Sequence, residues 1–298
     1  MISTEAEPMV PRTARRQRRR TELRRARRHR RVLMLLAALV VVAIAVSVFV
    51  VRKNAVADGP DKGVLLFDEP FSGNALDANH WSPCYEWSAN GCTNMGNQEL
   101  EWYVPKQVTV ANGAASLQAK PQTVTGVDDK QFDYVSGMIS GLSPDRTLFS
   151  FQYGYVESRV QIPKGQGLWP ALWMLPATRQ SLPEIDIFEA VGEQPDVAQL
   201  HTHWLEDGER KNAGTRWHGP DLTQGWHTFG LEWKPNSLTW YVDGTARLRV
   251  TDPKEIPHEP MYLIANLAVG GTFTKPPNAS TPFPATFKLD YVKVWGTS

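Results

Sequence analysis

The segment Glu184-Ile185-Asp186-Ile187-Phe188-Glu189, between Pro183 and Ala190, decides how the rest of the chain is read. Its apolar residues at 185, 187 and 188 are strand formers, with acids set between and beside them. Side chains two apart on a strand share a face, so Glu184 and Asp186 point the same way. Glu189 lies five positions from Glu184, an odd offset that sends it to the opposite face. One extra residue, a β-bulge, restores the parity and gathers all three acids on one side. The end glutamates then stand four regular steps apart, roughly 13 Å between Cα atoms. Carboxylates grouped on one face repel one another, so packing alone gives no reason for them. A solvated outer strand face is the plain alternative for the motif taken by itself.

Upstream, Gly165-Gln166-Gly167-Leu168-Trp169-Pro170-Ala171-Leu172-Trp173 places two tryptophans four apart. Sugar rings stack on such platforms through their C–H faces, with core packing the alternative for Trp169 and Trp173 alike. The chain holds 11 tryptophans, more than a core of this size needs. From Val64 onward, short apolar or alternating runs at 115–119, 155–162, 238–242, 246–250 and 287–295 are separated by Gly, Pro, Asn and Asp. Many short strands with turn signals between them indicate an all-β antiparallel sandwich of jelly-roll type. Asp243-Gly244 reads as a hairpin turn. No long amphipathic helix and no internal repeat accompany these runs.

The N-terminal part differs in kind. In residues 1–31, twelve arginines against Glu5, Glu7 and Glu22 give +9, so the rest of a chain of net charge +1 carries −8. Such an Arg run is a solvated tail. Nucleic acid is not the expected partner, because an uncharged apolar run, residues 32–51, follows at once. Twenty apolar residues span about 30 Å of hydrocarbon as a helix. The arginines before it, with only Arg52-Lys53 after it, place the tail in the cytoplasm. The reading is therefore a cytoplasmic tail (1–31), a single transmembrane helix (32–51), a linker (52–63) and an exported domain (64–298), with the membrane as a partner. Cleavage near Ala57, after Ala55-Val56-Ala57, is the alternative and makes the domain secreted. Cys84 and Cys92 are the only cysteines. In an exported domain they are expected to form a disulfide closing a small loop.

Further motifs follow in order: Asn97-Gln98-Glu99-Leu100-Glu101-Trp102-Tyr103, Tyr153-Gly154-Tyr155-Val156-Glu157, Trp169-Pro170-Ala171-Leu172-Trp173, the acidic strand, Gly225-Trp226-His227, Trp240-Tyr241-Val242-Asp243-Gly244 and Asn266-Leu267-Ala268-Val269-Gly270-Gly271. Together they resemble glycoside hydrolase family 16, the laminarinase, lichenase and agarase family, over about residues 64–295. The resemblance implies a concanavalin A-like jelly roll and a retaining endo-β-glycanase. Glu184 is then the nucleophile, Glu189 the general acid/base and Asp186 the residue that orients Glu184, with the carboxyls drawn to about 5–5.5 Å. It also implies polysaccharide contacts at Trp169, Trp173 and His201, the last across the cleft from the acids, and at Asn97, Glu101 and Asn266, where turn or capping roles are equally open. Asp290 matches the position at which many members bind calcium away from the cleft. Glu69 and the Gly113 carbonyl would complete that oxygen site, and an ordinary exposed strand Asp is the alternative.

Catalysis needs no cofactor, and a monomer is expected. A non-catalytic glycan-binding module and a cell-envelope transglycosylase are the rival functions. Laminarinases commonly carry Arg after the Ser-Gly that opens a strand, whereas Ser136-Gly137 here is followed by Met138. This widens the expected substrate from β-1,3-glucan or mixed-linkage glucan to related exopolysaccharides. The full-length protein is expected in the membrane fraction, its Arg-rich tail protected from external protease. N-terminal sequencing that finds Asp58 at the start of the mature protein would replace the anchor with cleavage.

Overall fold

The computed structural model describes residues 59–87 and 92–297. The Arg-rich tail and the expected membrane span lie outside the described residues. Among those described, no helix is long and apolar enough to cross a membrane. Residues 59–63, inside the expected linker, already touch the domain: the Asp61 N–H donates to Glu232 at 3.0 Å, and the Lys62 ammonium lies 4.4 Å from the Trp295 ring centre.

In chain order the strands are β1 (Leu65–Glu69), β2 (Glu101–Tyr103), β3 (Val108–Ala111), β4 (Ala114–Thr125), β5 (Gln131–Ser136), β6 (Met138–Ser140), β7 (Gly154–Gln161) and β8 (Leu168–Pro176). There follow β9 (Glu184–Glu189), β10 (Val197–Glu206), β11 (Glu209–His218), β12 (His227–Lys234), β13 (Ser237–Val242), β14 (Thr245–Val250), β15 (Met261–Val269) and β16 (Ala285–Trp295). They form two sheets. The larger runs β14-β13-β12-β7-β16-β4-β5-β2, with β1 added to β16 and β3 to β4; the smaller runs β11-β10-β9-β8-β15-β6. Pairing is antiparallel except between β2 and β5, so the expected antiparallel sandwich holds with one parallel pair at an edge. Every apolar run singled out from Val64 onward falls on a strand, to within a residue. Asp243 and Gly244, with φ of 50° and 71°, make the turn between β13 and β14, as their residue types require.

The core lies between the sheets. Phe188 on β9 stacks on Phe229 of β12 at 4.2 Å, and both are fully buried with Phe287, Trp233 and Trp240. Alternation then sorts β8 by face: Leu168, Leu172 and Met174 enter this core, while Trp169, Ala171, Trp173 and Leu175 line a cleft on the outer face of the smaller sheet. Strand β15 divides likewise, with Leu263, Ala265 and Leu267 inward and Asn266 facing the cleft.

Cys84 and Cys92 are buried thiols and not the expected disulfide. The Cys92 sulfur accepts the Tyr85 N–H at 3.3 Å and packs 3.5 Å from the Met138 sulfur. Burial, then the bond to Cys84, pushes the Cys92 thiol up, away from the thiolate that disulfide exchange requires.

Strand β9 carries the bulge that its acids demand. Against β10, Gln199 faces Glu189 and His201 faces Asp186, two residues set against three. Against β8, Leu172 faces Phe188 and Trp173 faces Asp186, one step against two. The extra residue is Ile187, which joins the core. The Trp240 indole N–H donates to the Asp186 carbonyl at 2.8 Å, tying the bulge to the opposite sheet. Trp240→Phe should cost about 1–3 kcal/mol, the usual penalty for leaving a buried carbonyl short of a donor. Urea unfolding midpoints measure it, and an unchanged midpoint would show that the bulge holds itself.

Candidate active site

Glu184, Asp186 and Glu189 all line the cleft, which has a volume of about 430 Å³. A carboxylate oxygen of Asp186 stands within 4.8 Å of one on each glutamate, so Asp186 lies between the two. Each acid has its own partner. The Arg210 guanidinium donates to Glu184 Oε1 at 2.7 Å. His203 Nε2 is 2.9 Å from Asp186 Oδ2 and 3.7 Å from Glu184 Oε1. The Trp169 indole N–H donates to Glu189 Oε1 at 3.1 Å.

These surroundings separate the two glutamates in proton affinity. Burial pushes Glu184 up to about 7, with Asp186 adding to the effect and Arg210 and His203 pulling against it. Burial pushes Glu189 well above the usual carboxylate range, and the charges of Asp186 and Glu184 add to it. Only Trp169 and, more weakly, Arg210 favour its ionised form. Glu189 therefore keeps its proton in conditions where Glu184 has lost its own. Two carboxyls held at different proton affinities are the arrangement of an acid and a nucleophile.

Not every expected contact residue has the expected role. Trp173 is half-buried at the cleft, its indole N–H donating to Asn266 at 2.8 Å. Trp169 is buried, and Phe273 stacks on its ring at 4.8 Å, so it acts on Glu189 through its N–H edge. His201 sits beside the acids and not across the cleft: its Cα pairs with Asp186, and burial lowers its proton affinity. The ring fits because its neighbour on β11 is Gly214, where a Cβ would come within 2.1 Å of it. Asn97 lines the cleft and donates to Glu99 at 2.9 Å.

Glu101 does not reach the cleft. It is fully buried behind the wall and accepts the Val269 N–H, while Glu99 lines the cleft instead. From Trp173 the hydrogen bonds run one way: Trp173 to Asn266, Asn266 to Tyr103 at 2.9 Å, and Tyr103 to Glu99 at 3.2 Å. The Glu101 Oε1 atom is buried with no donor of its own. Burial, then the charge of Glu99, pushes Glu101 well above the carboxylate range and favours its protonated form.

Asp290, Glu69 and Gly113 come to one region of the larger sheet. Glu69 pairs with Val292, Asp290 sits at a bulge in β16, and Gly113 turns β3 into β4 next to Ala115, the partner of Leu289. Their carboxylates already have partners within the protein. Asp290 is bonded to Arg159 at 2.8 Å, and Glu69 accepts from Phe71, His80 and Trp81. Both Glu69 oxygens and Asp290 Oδ2 are thus engaged by protein donors.

The sequence reading missed His203, Arg210, Glu99 and the loop that carries Tyr85 and Trp87, whose rings stack at 4.1 Å beside the cleft. Parity with His201 points to His203. Arg210 needs the register of the β10–β11 hairpin, which residue types do not supply.

Residues 97–293 match the family model for glycosyl hydrolases family 16. The chain belongs to this family. It is 34% identical over 226 residues to an endo-1,3-1,4-beta-glycanase of Rhizobium meliloti, covering 72% of this chain and 47% of that protein. It therefore spans about half the length of that relative. A beta-glucanase of Rhodothermus marinus is 31% identical over 260 residues, covering 78% and 84%. Among solved structures, the catalytic domain of an endo-1,3-beta-glucanase (laminarinase) from Thermotoga petrophila superposes with a TM-score of 0.69 at 27% identity, covering 80% of this chain and 99% of that one.

Trp169→Phe removes the hydrogen bond that favours ionised Glu189, so the affinity of Glu189 for its proton should rise. A group that works as an acid loses activity as pH rises through its pKa. The alkaline limb of kcat against pH should therefore move upward, and a limb that stays put or moves down would show that Trp169 does not tune the acid.

Proposed function

We propose that the chain is a retaining endo-β-glucanase acting on a β-1,3-glucan, a mixed-linkage glucan or a related exopolysaccharide. The observation that carries this reading is the pair of glutamates on either side of Asp186, one poised to be charged and the other holding a proton. The Glu184 carboxylate attacks the anomeric carbon as the bond to the leaving sugar oxygen breaks, and Glu189 gives that oxygen its proton. The Glu189 carboxylate then takes a proton from water. The resulting oxygen attacks the same carbon and releases Glu184. His203 and Trp240, on the side chain and carbonyl of Asp186, keep the intervening acid in place. The names of the relatives support the β-glucan class. Met138, buried under the cleft wall with no donor to offer a sugar, supports a substrate range wider than laminarin. The apolar run 32–51 would hold the domain at the outer face of a membrane, a part of the reading that rests on sequence pattern.

Glu184→Gln keeps the shape and removes the nucleophile. It should show no turnover on laminarin, lichenan or a succinoglycan-like polymer, scored by new reducing ends, with an unchanged thermal midpoint. Hydrolysis at the wild-type rate would overturn the mechanism.

A further inference from the structure

Glu184 has a partner that its own strand and both neighbouring strands do not provide. Arg210 lies on edge strand β11, two residues toward the hairpin from Asn212, whose Cα pairs with His203, itself paired with Glu184. By parity Arg210 shares the cleft face with His203 and Glu184, and it reaches diagonally over β10. Its guanidinium meets Glu184 Oε1 at 2.7 Å. The Arg210 side chain is 54% exposed, against 14% for that of Glu184, so the cation stays solvated while the anion it holds is desolvated.

We propose that Arg210 is a positioning residue for the nucleophile: from the hairpin of the edge strand it fixes the Glu184 carboxylate and keeps it charged. The inference rests on the glycosidase reading above.

The other charged groups around Glu184 do not replace it. On its own strand Asp186 opposes its charge, and Glu189, pushed toward its protonated form, supplies no cation. Strand β8 contributes no ionisable group. On β10, His203 is 2.9 Å from Asp186 but 3.7 Å from Glu184, and His201 is disfavoured as a cation by burial. Glu86, Glu99 and Arg179 also line the cleft, but the Arg179 guanidinium is bonded to the Ser143 carbonyl at 3.0 Å. Arg210 is the cation in direct contact, and it opposes the burial that pushes Glu184 up to about 7.

The sign of the effect follows. A nucleophile works when ionised, so activity rises with pH through the Glu184 pKa, and loss of the cation moves that rise to higher pH. Arg210→Met should shift the acid limb of kcat/KM upward by about one pH unit. Activity at pH 5.5 should then fall about tenfold relative to wild type, with a smaller loss above the limb. Arg210→Lys should keep most of the wild-type limb, which guards against a mere packing loss. Raising the salt concentration should move the wild-type limb in the same direction and leave that of Arg210→Met in place, because the pair is partly exposed. An unmoved acid limb in Arg210→Met, or a pH-independent loss confined to KM, would overturn the proposal and make Arg210 a bystander or a sugar contact. A wild-type protein with no turnover on any β-glucan would instead overturn the functional reading.

Discussion

One extra residue in one strand organises this domain. Without the bulge at Ile187, regular alternation would put Glu189 in the core and leave the cleft with two acids. With it, Ile185, Ile187 and Phe188 fill the space between the sheets while Glu184, Asp186 and Glu189 share the opposite face. The bulge is held from both sides. Trp240 grips the Asp186 carbonyl through the core, and His203 grips its carboxylate in the cleft. Packing and chemistry thus meet at one residue, and neither can be altered without the other.

The same sheet separates two dielectric environments. Its inner face packs the apolar core, and its outer face carries a cleft deep enough to desolvate carboxyls. Burial is the leading cause of the raised proton affinity of both glutamates. The difference between them comes from which donor touches which acid: a guanidinium at Glu184, an uncharged indole N–H at Glu189. A charged donor stabilises a carboxylate more than a neutral one does, which places the pKa of Glu184 below that of Glu189.

Much of this was legible in the sequence because it depended on parity. The strand faces, the hairpin at Asp243-Gly244, the bulge and the three acids all follow from counting positions and noting residue types. The features that were not legible depend on register or on distance in the fold. Arg210 is 26 residues from Glu184 and meets it only because β11 pairs with β10 at one particular offset. Glu99 and Glu101, two apart, look interchangeable in the sequence, yet one lines the cleft and the other is sealed behind it. The cysteine pair fits a disulfide by spacing and is held as thiols in an apolar pocket, a matter of local packing that spacing does not encode.

The burial of Glu99 and Glu101 carries a thermodynamic consequence. In the unfolded chain both carboxyls are solvated and ionise in the ordinary glutamate range; in the domain, burial raises both, Glu101 most of all. Glu189 behaves the same way. A carboxyl whose folded pKa lies above its unfolded one binds a proton on folding. The stability it contributes is complete below the unfolded value and drains away as pH rises through the folded one. At these carboxyls folding takes up protons. The wall that orients Trp173 through Asn266 and Tyr103 therefore loses stability as these buried carboxyls are forced to ionise at high pH.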